Sequence, residues 1–169
     1  MSTTSELDRY SDARIRSTTT LDKSKFLHDS IIYLRDYLNA NITDPEAGNR
    51  GKARFVMTAY PEHPTKYPLL IVYQTSMPGR LISIGQSSMV YDEGLTVDVL
   101  SFETKQRDQL TDEVLYALHN GFSSFSSYKM EFAGIGNVSD TGSFQVAEGG
   151  AKKTVHRKTI ETRWKIYVI

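Results

Sequence analysis

Leu95-Thr96-Val97-Asp98-Val99-Leu100-Ser101-Phe102 is a strand-sized run whose apolar side chains fall on both alternating faces, with one carboxylate, Asp98, inside it. Successive side chains of a strand point to opposite sides of a sheet, so a run that is apolar on both is covered on both. This predicts a strand near the middle of a sheet, with a helix over its second face. The helix follows at once. Leu110, Val114, Leu115, Leu118 and then Phe122 recur on one side of a segment from about Lys105 to Asn120. Thr104 is its expected N-cap and Asn120-Gly121 its stop, where glycine tolerates the left-handed conformation.

Upstream, residues 54–60, 69–75, 81–85 and a stretch around 88–91 carry strand signals. Pro61, Pro64 and Pro68 bracket the first link, while Met77-Pro78-Gly79 and Asp92-Glu93-Gly94 supply turn chemistry for the later ones. Links this short predict an antiparallel meander. Before them, Phe26/Leu27, Ile31, Leu34 and Leu38 share one helical face, capped by Asp22 or Ser24 and ended by Asn39, Asn41 and Thr43-Asp44-Pro45. Residues 46–52 form a polar loop. Residues 1–20, rich in Ser, Thr, Asp and Arg, read as a flexible arm able to order against a neighbouring subunit.

Downstream, Ser123-Ser124-Phe125-Ser126-Ser127 reads as a linker into a strand over residues 129–138. Residues 142–153 read as a long mobile hairpin tip. In the last strand Ile160, Thr162, Trp164, Ile166 and Val168 alternate with Thr159, Glu161, Arg163, Lys165 and Tyr167, giving one core face and one charged, aromatic face. The expected fold is α+β: one domain over residues 21–169, a mostly antiparallel sheet packed against two helices, with a long hairpin near 139–153.

Composition narrows the function. A chain of 169 residues matches one domain. Lys+Arg 20 balance Asp+Glu 20, so no global field draws in a polyanion. Cysteine is absent, which removes disulfides, thiolate nucleophiles and Cys-based metal sites. Apolar runs such as residues 69–73 are far short of the roughly 20 residues that cross a bilayer. The N-terminal Met1-Ser2-Thr3-Thr4-Ser5-Glu6-Leu7-Asp8 lacks the basic and apolar regions of a secretory signal, so the expected site of action is where the chain is made.

Enzyme chemistry finds little support. His28, His63, His119 and His156 fall on different elements, without the spacing of a helical zinc motif. Gly134-Ile135-Gly136-Asn137 leads into Ser139-Asp140-Thr141-Gly142 and not into a helix that could hold pyrophosphate. Asp112-Glu113 are adjacent and point apart. Asp98 and Glu103 could form an acid/base pair if a pocket lay there. The surviving feature is the basic stretch Lys152, Lys153, His156, Arg157, Lys158, Arg163, Lys165, interleaved with Trp164 and Tyr167. It could serve a small nucleic-acid-binding module, or be a charged sheet face meeting acidic residues across a subunit boundary. The second reading is preferred, because Trp164 alternates onto the apolar face and is not free to stack on a base.

Three segments carry a resemblance: Tyr67-Pro68-Leu69-Leu70-Ile71-Val72-Tyr73; Glu93-Gly94-Leu95-Thr96-Val97-Asp98-Val99-Leu100-Ser101 running into residues 107–120; and Arg163-Trp164-Lys165-Ile166-Tyr167-Val168-Ile169. In pattern and order over about residues 21–169 the chain resembles the tail terminator, or tail completion, proteins of long-tailed viruses. The resemblance implies a small α/β fold closing into a hexameric ring that caps the tail tube and docks to the head-neck connector. It implies no catalytic residue, no metal and no cofactor. The implied partners are the chain itself, the tail tube protein and the connector, with nucleic acid met only as the genome passes through. The implied location is the virion tail or neck, and the host cytoplasm during assembly. A head-completion or neck role is the nearest alternative, and a small enzyme built on Asp98 a more distant one. The expected interface residues are Arg54, Arg157, Glu161, Arg163, Lys165 and Tyr167. The expected docking hairpin carries Gly142, Phe144, Gly149, Gly150, Lys152 and Lys153.

Overall fold

A computed structural model of the chain describes residues 26–61, 66–75, 80–84 and 88–168. Its elements are α1 (Phe26–Asn41), the single turn α2 (Ala47–Arg50), β1 (Val56–Met57), β2 (Leu69–Gln74), β3 (Arg80–Ile84), β4 (Ser88–Ser101), α3 (Thr104–Asn120), α4 (Phe122–Ser127), β5 (Met130–Glu148) and β6 (Ala151–Val168). The arm of residues 1–20, the caps Asp22 and Ser24, Pro64 and the Met77-Pro78-Gly79 turn lie outside the described residues.

The six strands make one mixed sheet in the order β1-β2-β4-β6-β5, with β3 paired to β4 beside that path. The chain is thus an α+β fold, and the run from Leu95 is central as expected. β4 is flanked by β6 along Met89 to Ser101 on one edge, while β2 and β3 share the other edge end to end. Two expectations about β4 and β1 need correction. Asp92-Glu93-Gly94 is not a turn: β4 runs straight through it, because β6 supplies a continuous partner ladder and the Gly94 carbonyl accepts the Thr75 amide at 3.0 Å. Nor is the sheet antiparallel throughout. β1 pairs parallel with β2, Val56 beside Leu70 and Met57 beside Ile71, because a two-residue pairing needs only the return provided by residues 58–68.

The helices cover one face. Leu34, Leu38, Leu110, Val114, Leu118 and Phe125 meet Leu70, Val72, Leu95, Val97, Val99, Ile160, Trp164 and Ile166 in the main core. The opposite face holds a smaller cluster, Leu69, Ile71, Leu100 and Val155, with Tyr67, Phe102 and Val146 against it. This second cluster explains why both faces of the Leu95 run are apolar.

Around α3 the local rules give way to packing. The N-cap is Glu103, not Thr104, and makes no side-chain cap bond. Ser101 does that work instead: its Oγ accepts the Glu103 amide at 3.1 Å and donates to Gln106 Oε1 at 2.6 Å. Gly121 ends the helix at φ −81, outside the left-handed region. Glycine is needed there for space, since a Cβ would lie 2.4 Å from Tyr37 Oη and 2.5 Å from Phe125 Cε2. The Ser-rich segment is also not a linker. It winds into α4, burying Phe125 edge-on against Trp164 at 4.7 Å, while Ser126 and Ser127 hydroxyls bond back to the Ser123 and Ser124 carbonyls. Burial of one aromatic ring outweighs the weak helix preference of serine.

β5 and β6 form one long ribbon. Residues 142–153, expected as an open tip, are paired up to Glu148 opposite Ala151, and only Gly149-Gly150 turns. Both glycines have positive φ, 59 and 83, as a two-residue hairpin turn matching the strand twist requires. Three irregularities interrupt β5, between Phe132/Gly134, Ile135/Asn137 and Asp140/Ser143.

Candidate functional site

Asp98 has no exposed surface, and its even position on β4 turns it to the face away from the helices. A buried carboxylate survives only if donors surround it. Its neighbours supply them. Thr159, its direct partner on β6, donates from Oγ1 to Oδ1 at 2.6 Å; Tyr60 donates to Oδ2 and Tyr73 reaches the same oxygen at 3.3 Å. Arg157 Nε stands 3.9 Å from Oδ2, donates to Thr141 Oγ1 at 2.7 Å, and extends Nη1 to Tyr60 Oη at 3.1 Å. Thr141 and Thr159 hydroxyls meet at 2.7 Å. Burial, then the Asp98 carboxylate, pushes the Tyr60 phenol well up and Tyr73 to about 12, so both remain donors. With its oxygens accepting from phenols and hydroxyls, Asp98 is a hub that joins the strands on this face. Glu103, offered as its acid/base partner, is exposed at the start of α3, and no contact joins the two.

Arg157, Glu161, Arg163, Lys165 and Tyr167 share one strand at alternate positions and line this same face. Tyr167 Oη bonds Glu131 Oε2 at 2.5 Å. Arg54 is elsewhere: it precedes β1, at the edge of the sheet opposite β5. The basic stretch is not one patch. Lys158 points to the helix side and holds Asp108 at 2.8 Å, and Lys153 pairs with Glu148 at 2.6 Å while lying over the Phe102 ring. Trp164 is buried, as its alternation predicts.

β5 is the outermost strand, and its free edge is marked by large exposed apolar groups. Ile135 (41% exposed) and Val138 (37%) face the helix side, paired with Thr162 and Ile160; Phe144 (37%) sits on the other face opposite Val155. Among the hairpin residues named from sequence, Phe144 and the cross-strand positions Lys152 and Lys153 lie near the tip, with Gly149-Gly150 as its turn and Gly142 (φ 99) in the deepest irregularity.

Sequence reading missed three features. Tyr60 and Tyr73 bond Asp98, and Thr141 joins them through Thr159 and Arg157; the signal was a lone carboxylate in an apolar run, which demands donors from its ladder partners. Glu93 enters the core with neither carboxylate oxygen bonded, and burial pushes it up to about 7. Arg50 is buried, bonding Asp44 at 2.5 and 2.8 Å and the Lys66 and Pro68 carbonyls at 2.6 and 2.7 Å.

Among the described residues no group of three or more His, Cys, Asp or Glu could hold a metal ion, and no helix is long and apolar enough to cross a membrane. No protein-family model matches the chain, and no curated protein matches it.

Proposed function

We propose that this chain is a non-enzymatic virion structural protein of the tail-terminator type: a ring-forming subunit that caps the tail tube and joins it to the head-neck connector. The observation carrying the reading is the uncovered apolar strip Ile135 and Val138 on the free, bulged edge of β5. A lone soluble subunit does not gain by exposing such a strip at a sheet edge, whereas a contact between copies buries it. Repeated irregularities discourage strand addition along β5, so the contact is made by side chains. The opposite edge of the sheet, with Arg54 and β1, is a different surface. One edge meeting the other is the heterologous contact from which closed rings are built. The row Glu161, Arg163, Lys165 and Tyr167 supplies one acidic and two basic groups beside a phenol, a charge pattern that selects the register of neighbours. The resemblance in segment order supports the tail-tube and connector partners, a hexameric ring, and residence in the virion tail or neck after assembly in the host cytoplasm.

The test is light-scattering mass across concentration, with electron micrographs of the protein alone and with tail tubes. Closed rings or capped tube ends are expected, and Ile135→Ser with Val138→Ser abolishes them. A chain that stays monomeric, ignores tubes and binds DNA at low salt overturns the reading in favour of the basic C-terminal strand.

A further inference from the structure

The β5–β6 ribbon is held very unequally along its length. On the body side, β6 is bonded to β4 as far as His156 opposite Ser101. Beyond that register the backbones of the two strands pair only with each other. The β5 ladder itself breaks just there, between Asp140 and Ser143, where Gly142 adopts φ 99. A backbone interrupted on one strand, with a glycine free of Cβ strain, bends at little cost.

Both faces of this break are clamped on its body side. On the helix face Arg107 Nη1 holds Asp140 at 2.8 Å and Lys158 holds Asp108 at 2.8 Å. On the other face the break residue Thr141 is tied into the Asp98 cluster by Arg157 and Thr159, each at 2.7 Å. Through that one buried carboxylate, the segment before β2, β2, β4, β6 and β5 are joined. The distal ribbon has less: Val155 and Val146 against Leu69, Ile71 and Leu100, and Lys153 over the Phe102 ring at 5.0 Å.

We infer that residues 144–155 form a strap that opens as a unit about the Thr141–Gly142 break, and that the Asp98 cluster, through Arg157 and Thr141, is its catch. Opening frees Phe144 and the Gly149-Gly150 tip and uncovers Leu69, Ile71 and Leu100, while the main core under the helices stays closed. The strap needs no ring and no partner, so it stands or falls separately from the assembly reading.

Amide hydrogen exchange on the purified full chain tests it. In the unaltered protein, amides of 144–155 exchange through an opening that leaves β4 protected. Arg157→Gln and Thr141→Val, both at exposed or half-exposed positions, each speed exchange across 144–155 about tenfold, the scale of one charge-assisted hydrogen bond; the melting temperature falls by a few degrees, because the unfolded chain lacks the contact too, and the β2 and β4 amides remain far slower than the strap. Arg157→Lys does not restore the slow rate, because an ammonium cannot bond Thr141 and Tyr60 in the planar geometry of a guanidinium. Strap amides that exchange only together with β4, or variants that leave strap exchange at the parent's rate, overturn the inference.

Discussion

Glu93→Gln is the perturbation that most directly tests the physics of the core. Glu93 is 3% exposed, and both its oxygens lack a hydrogen-bond partner. Burial disfavours the charged form and holds the carboxyl at about 7, against an ordinary value of 4.5. Below the ordinary value the group is protonated in both the folded and unfolded chains, and its contribution to stability is fully present. As pH rises from about 4.5 to about 7, the unfolded chain releases the proton while the folded one keeps it, so stability falls. Above about 7 the folded chain carries a buried, unpaired charge, and the accumulated loss is about 3 kcal/mol. Glutamine imitates the protonated shape and cannot ionise. The variant is expected to match the parent near pH 4 and to exceed it by about 3 kcal/mol near pH 9, or about 10 °C in melting temperature for a chain of this size. Urea unfolding of both proteins across this range gives the difference directly, with all other carboxylates cancelling. A difference that does not change with pH would refute the reasoning and put Glu93 in contact with water or a cation.

Other outcomes follow from the same structure. Gly121→Ala drives a methyl into Tyr37 and Phe125 and is expected to destabilise by about 1–3 kcal/mol, read by thermal unfolding. Trp164→Ala empties the centre of the main core beneath Phe125 and costs about 3–5 kcal/mol by the same measurement. Arg50→Met strands the Asp44 carboxylate and two carbonyls and is expected to cost about 3–5 kcal/mol. Burial alone would raise Asp44, but the Arg50 hydrogen bonds outweigh it and hold the carboxyl below its ordinary 3.8. The parent therefore loses stability as pH falls below about 4, and acid titration of Arg50→Met shows a smaller loss there. Arg163→Glu, exposed on the charged row of β6, is expected to abolish association between copies with the melting temperature unchanged; a ring that still forms removes this residue from the interface.

Period in the chain was enough to place the two long helices and the central and last strands. The alternation through Ile160, Thr162, Trp164 and Ile166 and the helical spacing of Leu110, Val114 and Leu118 are local signals, and the core contains these residues. The lone carboxylate in the Leu95 run was visible too, but as a possible acid/base partner of Glu103 and not as the centre of a donor cluster. What only the tertiary structure decided is who meets whom. Asp92-Glu93-Gly94 has turn composition, yet a long neighbour, β6, carries the strand through it. Ser123 to Ser127 have linker composition, yet burial of Phe125 under Tyr37 and against Trp164 winds them into a helix. Arg54 resembles the β6 cations in kind, but strand order sends it to the far edge of the sheet. Tyr60 reaches Asp98 from 38 residues before it, and Thr141 reaches the Asp98 partners Thr159 and Arg157 from the far strand of the ribbon, a convergence no local pattern encodes. Propensity and period act over a few neighbouring residues, whereas burial and hydrogen-bond satisfaction are set by contacts between segments distant in the chain, and those won at each of these positions.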